Sequence, residues 1–375
     1  MGGPPVRAGC LFYKANRQTV RGKRSKKRRV FPARSFAIQS IFPLSKGGSA
    51  APKAQTGRPK ALLLALVAEH FFHLFYAKGP DDIMSNFFSQ LINGLQLGSI
   101  YALVALGYSM VYGIILLLNF AHGDIIMIGA YTSWIVMAKM GLPPVAAIIA
   151  TVIVCTLLGV FIEKIAYTPL RNAPRISLLI TAIGISYFLE YGAQLIWGAS
   201  AQVIPSYYNV APISIGGVKI SFTAILTIAV SVVSMILLAL LVQKTKIGKA
   251  MRAVSEDTGA AQLMGINVNA TISFTFAIGS ALAGIGSVLY CCQYAQATPT
   301  MGSMLGLKAF VAAVLGGIGS IPGAMVGGFA IGIAECFVSA IGLSVWKDAV
   351  VFAILIIVLL VKPAGLLGRQ LQEKV

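Results

Sequence analysis

The chain has 375 residues, is 57% apolar and only 11% charged, and has a mean hydropathy of +0.82, whereas a soluble domain carries about a quarter charged residues. A soluble enzyme is therefore excluded for most of its length. The formal charge of +19 is uneven: residues 1–83 hold 16 Lys/Arg against 3 Asp/Glu, and the remainder holds 14 against 8, so the basic balance is largely N-terminal and does not describe a nucleic-acid surface.

The composition breaks near Met84. Upstream lie the run Arg21-Gly22-Lys23-Arg24-Ser25-Lys26-Lys27-Arg28-Arg29, a Pro/Gly/Ser-rich stretch, and an apolar run from Ala61 to Ala77 interrupted by Glu69, His70 and His73. That last run is too short and too polar for a membrane span. Residues 1–60 contain no acidic residue, a composition shared with organellar transit peptides. The favoured expectation is instead a basic, disordered or non-native extension over residues 1–83, upstream of a start at Met84, with residues 84–375 forming a transmembrane domain.

Downstream, charge-free runs locate the membrane segments, because a charge at the bilayer centre costs about 2.5–3.5 kcal/mol or more. At roughly 20 residues per crossing, helices are predicted near 88–107, 109–118 (short), 122–140, 144–166, 176–197, 221–242, 270–292, 305–317 (short), 322–342 and 347–361. The expected fold class is an all-α polytopic membrane protein with about eight transmembrane helices and two short or re-entrant segments.

The first interruption is Leu118-Asn119-Phe120-Ala121-His122-Gly123-Asp124, between two strongly apolar stretches. Polar groups at such a place face a cavity or the bundle interior. Asn119, His122 and Asp124 are candidates to border a translocation path. The competing readings are a helix N-cap for Asn119 or Asp124, favoured for Asp124, and a hydrogen-bonded structural role for His122.

Orientation follows from short basic loops. Lys164–Arg175, Lys244–Arg252 and the tail bearing Lys362, Arg369 and Lys374 belong in the cytoplasm, and the charge-free 198–218 belongs outside. Within the outer loop, Ile213-Ser214-Ile215 and Val218-Lys219-Ile220 flank Gly216-Gly217, which reads as a small hairpin or an irregular connector.

The basic segment continues into Gly248–Asn267. Asp257 caps a short helix, Ala260, Leu263 and Met264 share one face at i, i+3, i+4, and Gly265 stops it. An apolar face there requires cover, either from a partner or from the chain's own bundle.

Residues 302–332 are rich in glycine. Gly302/Gly306 and Gly323/Gly327 have the four-residue spacing that lets helix backbones approach closely. Gly316-Gly317-Ile318-Gly319-Ser320-Ile321-Pro322-Gly323 interrupts the helix, and Gly316, Gly317 and Gly319 mark either a re-entrant element beside the path or a turn between packed helices.

The five cysteines, Cys10, Cys155, Cys291, Cys292 and Cys336, are odd in number and lie mostly in apolar runs, so neither a disulfide framework nor a zinc site is expected. His122 is the single histidine after His73, which leaves no catalytic set and no metal site to assemble. No G-x-x-x-x-G-K-[ST] run occurs, so nucleotide-driven transport would need another subunit. Glu163, beside Lys164, reads as solvated; Glu190 and Glu335 read as helix-pairing or path-lining acids.

Residues 84–375 resemble the inner-membrane permease subunit of the high-affinity branched-chain amino acid ABC transporters. The resemblance rests on Asn93-Gly94-Leu95-Gln96-Leu97-Gly98-Ser99-Ile100-Tyr101-Ala102-Leu103, Asn119–Asp124, Tyr167-Thr168-Pro169-Leu170-Arg171, Arg252–Asn267, and Lys308-Ala309-Phe310 through Gly316–Ala324. It implies a non-enzymatic permease in a bacterial inner membrane, with no cofactor of its own and ATP used by partner subunits. The implied partners are a second homologous permease, two cytoplasmic ATPases and a periplasmic substrate-binding protein. It further implies that the segment with Arg252, Glu256, Asp257, Ala260, Leu263, Met264 and Gly265 couples to an ATPase. Leucine, isoleucine and valine are the default cargo; urea or short amides are the alternative within the family. Outside it, a secondary transporter or channel would need intramembrane ion sites, and a membrane scaffold would lack a polar cleft.

Overall fold

A computed structural model describes residues 80–115, 119–171, 173–208, 210–215 and 218–368. The expectations placed on the basic segment up to residue 79 lie outside the described residues.

Helix α1 (Pro80–Ile115) opens the bundle. It is followed by α2 (His122–Trp134), prolonged by a π-helical turn over Ile135–Lys139, and by α3 (Pro144–Ile162), prolonged likewise over Glu163–Tyr167. Helix α4 (Arg175–Trp197) leads into β1 (Gln202–Val203), β2 (Ile213–Ile215) and β3 (Val218–Ile220). Next come α5 (Phe222–Lys244), α6 (Lys246–Glu256), α7 (Thr258–Leu263), α8 (Val268–Tyr294) and β4 (Gln296–Ala297). The chain closes with α9 (Met301–Gly316), α10 (Ile321–Ala340), a 3₁₀ turn (Ser344–Trp346) and α11 (Lys347–Val361).

Among the described residues, seven helices are long and apolar enough to cross a membrane: α1, α3, α4, α5, α8, α10 and α11, with α9 shorter. The expected boundaries agree closely except at the start. The predicted break between 107 and 109 does not occur, and α1 runs through as 36 residues. Gly107 serves packing there: a Cβ on it would collide with the imidazole of His122, and Gly279 of α8 lies on the same side.

Local chemistry sets the other ends. Pro144 occupies the first turn of α3 and Pro322 that of α10, where a missing N–H costs nothing. Ser221, Thr245 and Asn267 accept from Ala224, Gly248 and Ala270 N–H groups at 3.2, 3.0 and 3.0 Å, capping α5, α6 and α8.

Helix α1 is the centre of the bundle, with 83% of its most apolar window buried, against 17% for the window in α4 and 6% for that in α11. It packs antiparallel to α10 along a seam of small residues: a Cβ on Gly98 would lie 2.7 Å from Phe329 Cα, and Gly332 lies directly on the Gly98 backbone. Van der Waals contact of backbones is the main attraction available between helices in lipid. Outward-facing side chains such as Leu195 and Phe188 are left bare, an arrangement suited to hydrocarbon and a liability in water.

The predicted hairpin is present, with Ile213 opposite Ile220 and Ile215 opposite Val218. A second pairing was not legible in the sequence: β1 pairs antiparallel with β4, joining Gln202 to Ala297.

Candidate functional site

The interruption after α1 brings its polar residues into the interior. Asn119, His122 and Asp124 are all buried. The hydroxyl of Tyr167 donates to Asn119 Oδ1 at 3.0 Å, while Asn119 Nδ2 has no partner. His122 packs edge-on against Tyr108, ring centroids 4.8 Å apart, and its Nε2 has no partner either. The expected hydrogen-bonded role for His122 is therefore not supported at Nε2. Nor does Asp124 cap: the N-cap position of α2 is Ala121, with no side-chain bond. Asp124 lies one turn too far along and its carboxylate oxygens bond to nothing.

Asp124 and its neighbour Gly123 sit where α2 and α9 cross. Gly123 lies on Gly302, and a Cβ on Gly302 would fall 2.6 Å from Gly123 O and 2.8 Å from Asp124 Oδ1. A Cβ on Gly306 would meet Gly123 Cα at 3.0 Å and the Tyr108 hydroxyl at 3.2 Å. The Gly302/Gly306 spacing thus supports close approach as expected, with α2 as the partner.

Gly316, Gly317 and Gly319 are at the other end of α9, fourteen residues from Gly302, or about 20 Å along a helix. Gly319 packs against Gly113, near the end of α1. The three glycines form a tight turn from α9 into α10: Gly316 lies on Gly323, Ser320 caps α10 through Gly323 N–H at 3.3 Å, and Gly317 and Gly319 adopt φ of +105° and +86°. The chain after α11 covers this turn, with Leu366 N–H donating to Leu315 O at 2.8 Å and Leu367 N–H to Gly316 O at 2.9 Å. The glycines thus form a turn between two packed helices.

Two ionic clusters tie distant helices. Glu163 is wholly buried, contrary to the expectation of a solvated acid: it pairs with Arg171, accepts from Thr168 at 2.8 Å and from Ser273 of α8 at 2.6 Å, and Arg171 also reaches Asn269. Glu163 continues the buried i+4 stripe Ala147, Thr151, Cys155 and Gly159 of α3, so helical periodicity turns it inward although Lys164 beside it suggested water. Glu335 is a helix-pairing acid, as one of its two expected roles had it. It meets Lys308 of α9 at 2.8 Å and Lys347 at 3.2 Å, and accepts from Tyr101 of α1 at 2.8 Å; Lys308 also meets Asp348 of α11 at 2.7 Å.

The segment after α5 folds as two short helices. Arg252 reaches Gln243 O at 3.3 Å, Glu256 ends α6, and Asp257 caps α7 by accepting from Gly259 and Ala260 N–H groups at 2.8 and 3.0 Å. Gly265 takes φ +80° and closes the helix. One alanine is placed differently from a simple stripe: Ala261 is buried against the bundle, while Ala260, Leu263 and Met264 point away, the last two 90% and 82% exposed.

Seven described helices long and apolar enough to span a membrane, packed around a small-residue seam, with a capped helix whose outer face is bare, define a multi-pass membrane protein. Residues 90–359 match the family described as branched-chain amino acid transport system / permease component, and the chain belongs to that family. It is 45% identical over 302 residues to the high-affinity branched-chain amino acid transport system permease protein BraD of Pseudomonas aeruginosa, covering 77% of this chain and 98% of that one. LivH of Escherichia coli K12, named for the same system, is 43% identical over 303 residues with the same coverage. The probable LivH of Methanocaldococcus jannaschii is 30% identical over 290 residues, or 72% of this chain and 89% of that one. No solved structure matches.

Proposed function

We propose that this chain is the membrane-spanning subunit of an ATP-driven importer that carries leucine, isoleucine or valine across the inner membrane. The subunit performs no chemistry itself. ATP is bound and hydrolysed by two cytoplasmic partners, cargo is delivered by a periplasmic binding protein, and a second homologous permease completes the pathway. The names of the relatives support the cargo, and an aliphatic cargo suits a bundle whose polar groups are few.

The observation that carries the coupling reading is α7. Its cap and stop residues hold two helical turns rigidly, Ala261 anchors them to the bundle, and Leu263 and Met264 remain bare on the outward side. Burying one such side chain contributes about 1.5–3 kcal/mol, so a cleft on an ATPase that accepts both gains enough to transmit motion. Arg252, Glu256 and Asp257 frame the same surface.

The test is Leu263→Asp. It removes the apolar contact and buries a charge, which weakens a small interface by orders of magnitude. Membrane levels are expected to stay normal while the ATPase is lost on detergent extraction and uptake is abolished. Low membrane levels with any surviving protein still bound to its ATPase would sink the coupling assignment. Leucine uptake measured beside urea and short-amide uptake in the wild type settles the cargo.

A further inference from the structure

Asp124 is an interior carboxylic acid with no ion-pair partner among the described residues. It is wholly buried, and neither oxygen accepts a hydrogen bond. The other interior acids differ: Glu163 meets Arg171, and Glu335 and Asp348 meet Lys308. A buried, unpaired carboxyl is costly, and intramembrane ionisable groups without structural partners mark functional paths.

What surrounds Asp124 indicates the ligand. Its Oδ1 abuts Gly302 in the first turn of α9. Ser186 of α4 offers it a hydroxyl, Glu190 of α4 and Tyr108 of α1 act on it electrostatically, and Glu190 Oε2 accepts from Ser303 at 3.0 Å. Two carboxylates therefore share this crossing, and no Lys or Arg is paired with either among the described residues. Acceptors in excess, with no cation of their own, call for a compact cationic donor. A primary ammonium, with three N–H donors and one charge, has that chemistry.

We infer that Asp124, with Glu190 across the α2–α9 crossing, holds the α-ammonium group of the amino-acid cargo during its passage. This rests on the cargo reading above and adds the recognition point to it. The aliphatic side chain then faces the apolar helix surfaces, so one charged contact orients the cargo without a second to trap it.

The experiment reconstitutes the full complex with its binding protein and measures leucine uptake for wild type, Asp124→Asn and Asp124→Glu. Asp124→Asn keeps the size and removes the charge. Loss of a charged hydrogen bond predicts a fall of about tenfold or more with subunit assembly and membrane level retained, and Asp124→Glu is expected to recover part of the rate. Wild-type uptake by Asp124→Asn overturns the inference alone. Loss of assembly in Asp124→Asn also overturns it, by assigning the carboxyl to the seating of α9. Absence of leucine uptake by the wild-type complex overturns the cargo reading and this inference with it.

Discussion

Glu163 and Arg171 illustrate how single residues are fixed by surroundings that composition does not reveal. Glu163 stands beside Lys164 just after α3, and Arg171 follows in the loop to α4, where a solvent-facing pair contributes little. Burial changes the balance, because removing one partner leaves the other charge without compensation, at a cost of about 3–5 kcal/mol. Arg171→Met is expected to lower the thermal unfolding temperature of the detergent-solubilised subunit, and the double variant Arg171→Met/Glu163→Gln to recover part of the loss. Equal destabilisation by single and double variants would count against a coupled pair. His122 and Asp124 are the complementary case: buried by their neighbours, yet left without the bonds that burial normally demands.

At the scale of elements, α7 separates two roles that a helical stripe leaves mixed. The sequence pattern groups Ala260, Leu263 and Met264; the fold turns Ala261 toward the bundle and leaves Leu263 and Met264 bare. Asp257 and Gly265 were legible as cap and stop because both act through backbone geometry within a few residues. Ala261→Asp and Leu263→Asp are therefore expected to fail differently. The first places a charge against α8 and should reduce membrane level on an immunoblot. The second should leave that level unchanged and act at the ATPase. The α9–α10 turn makes a related point, since the glycine cluster was readable as a break but its cover, Leu366 and Leu367 bonded to Leu315 and Gly316, comes from the far end of the chain.

For the whole molecule, the transport domain is one helical assembly in which the central α1 touches α10, α8, α9 and α5. Stability therefore resides in the segment that the family match covers, residues 90–359. A chain beginning at Met84 is expected to insert and to support uptake at the level of the full chain. Loss of insertion, measured by membrane fractionation, would assign residues 1–83 a part in biogenesis or assembly.

The sequence by itself determined the spans after the first, the basic loops, the short strands of the β2–β3 hairpin and the cap and stop of α7. Hydropathy, loop charge and turn chemistry act over a few residues, and the cost of placing them in lipid or water depends little on what lies far away. Only the tertiary structure decided the rest. It continued α1 unbroken to Ile115, placed Gly302 against Gly123 and Asp124, and joined Glu163 to Ser273 and Tyr101 to Glu335, 110 and 234 residues apart. Those outcomes depend on which helices touch, and in a bundle of uniformly apolar helices that choice is made by small-residue fit and by buried polar partners supplied from other helices.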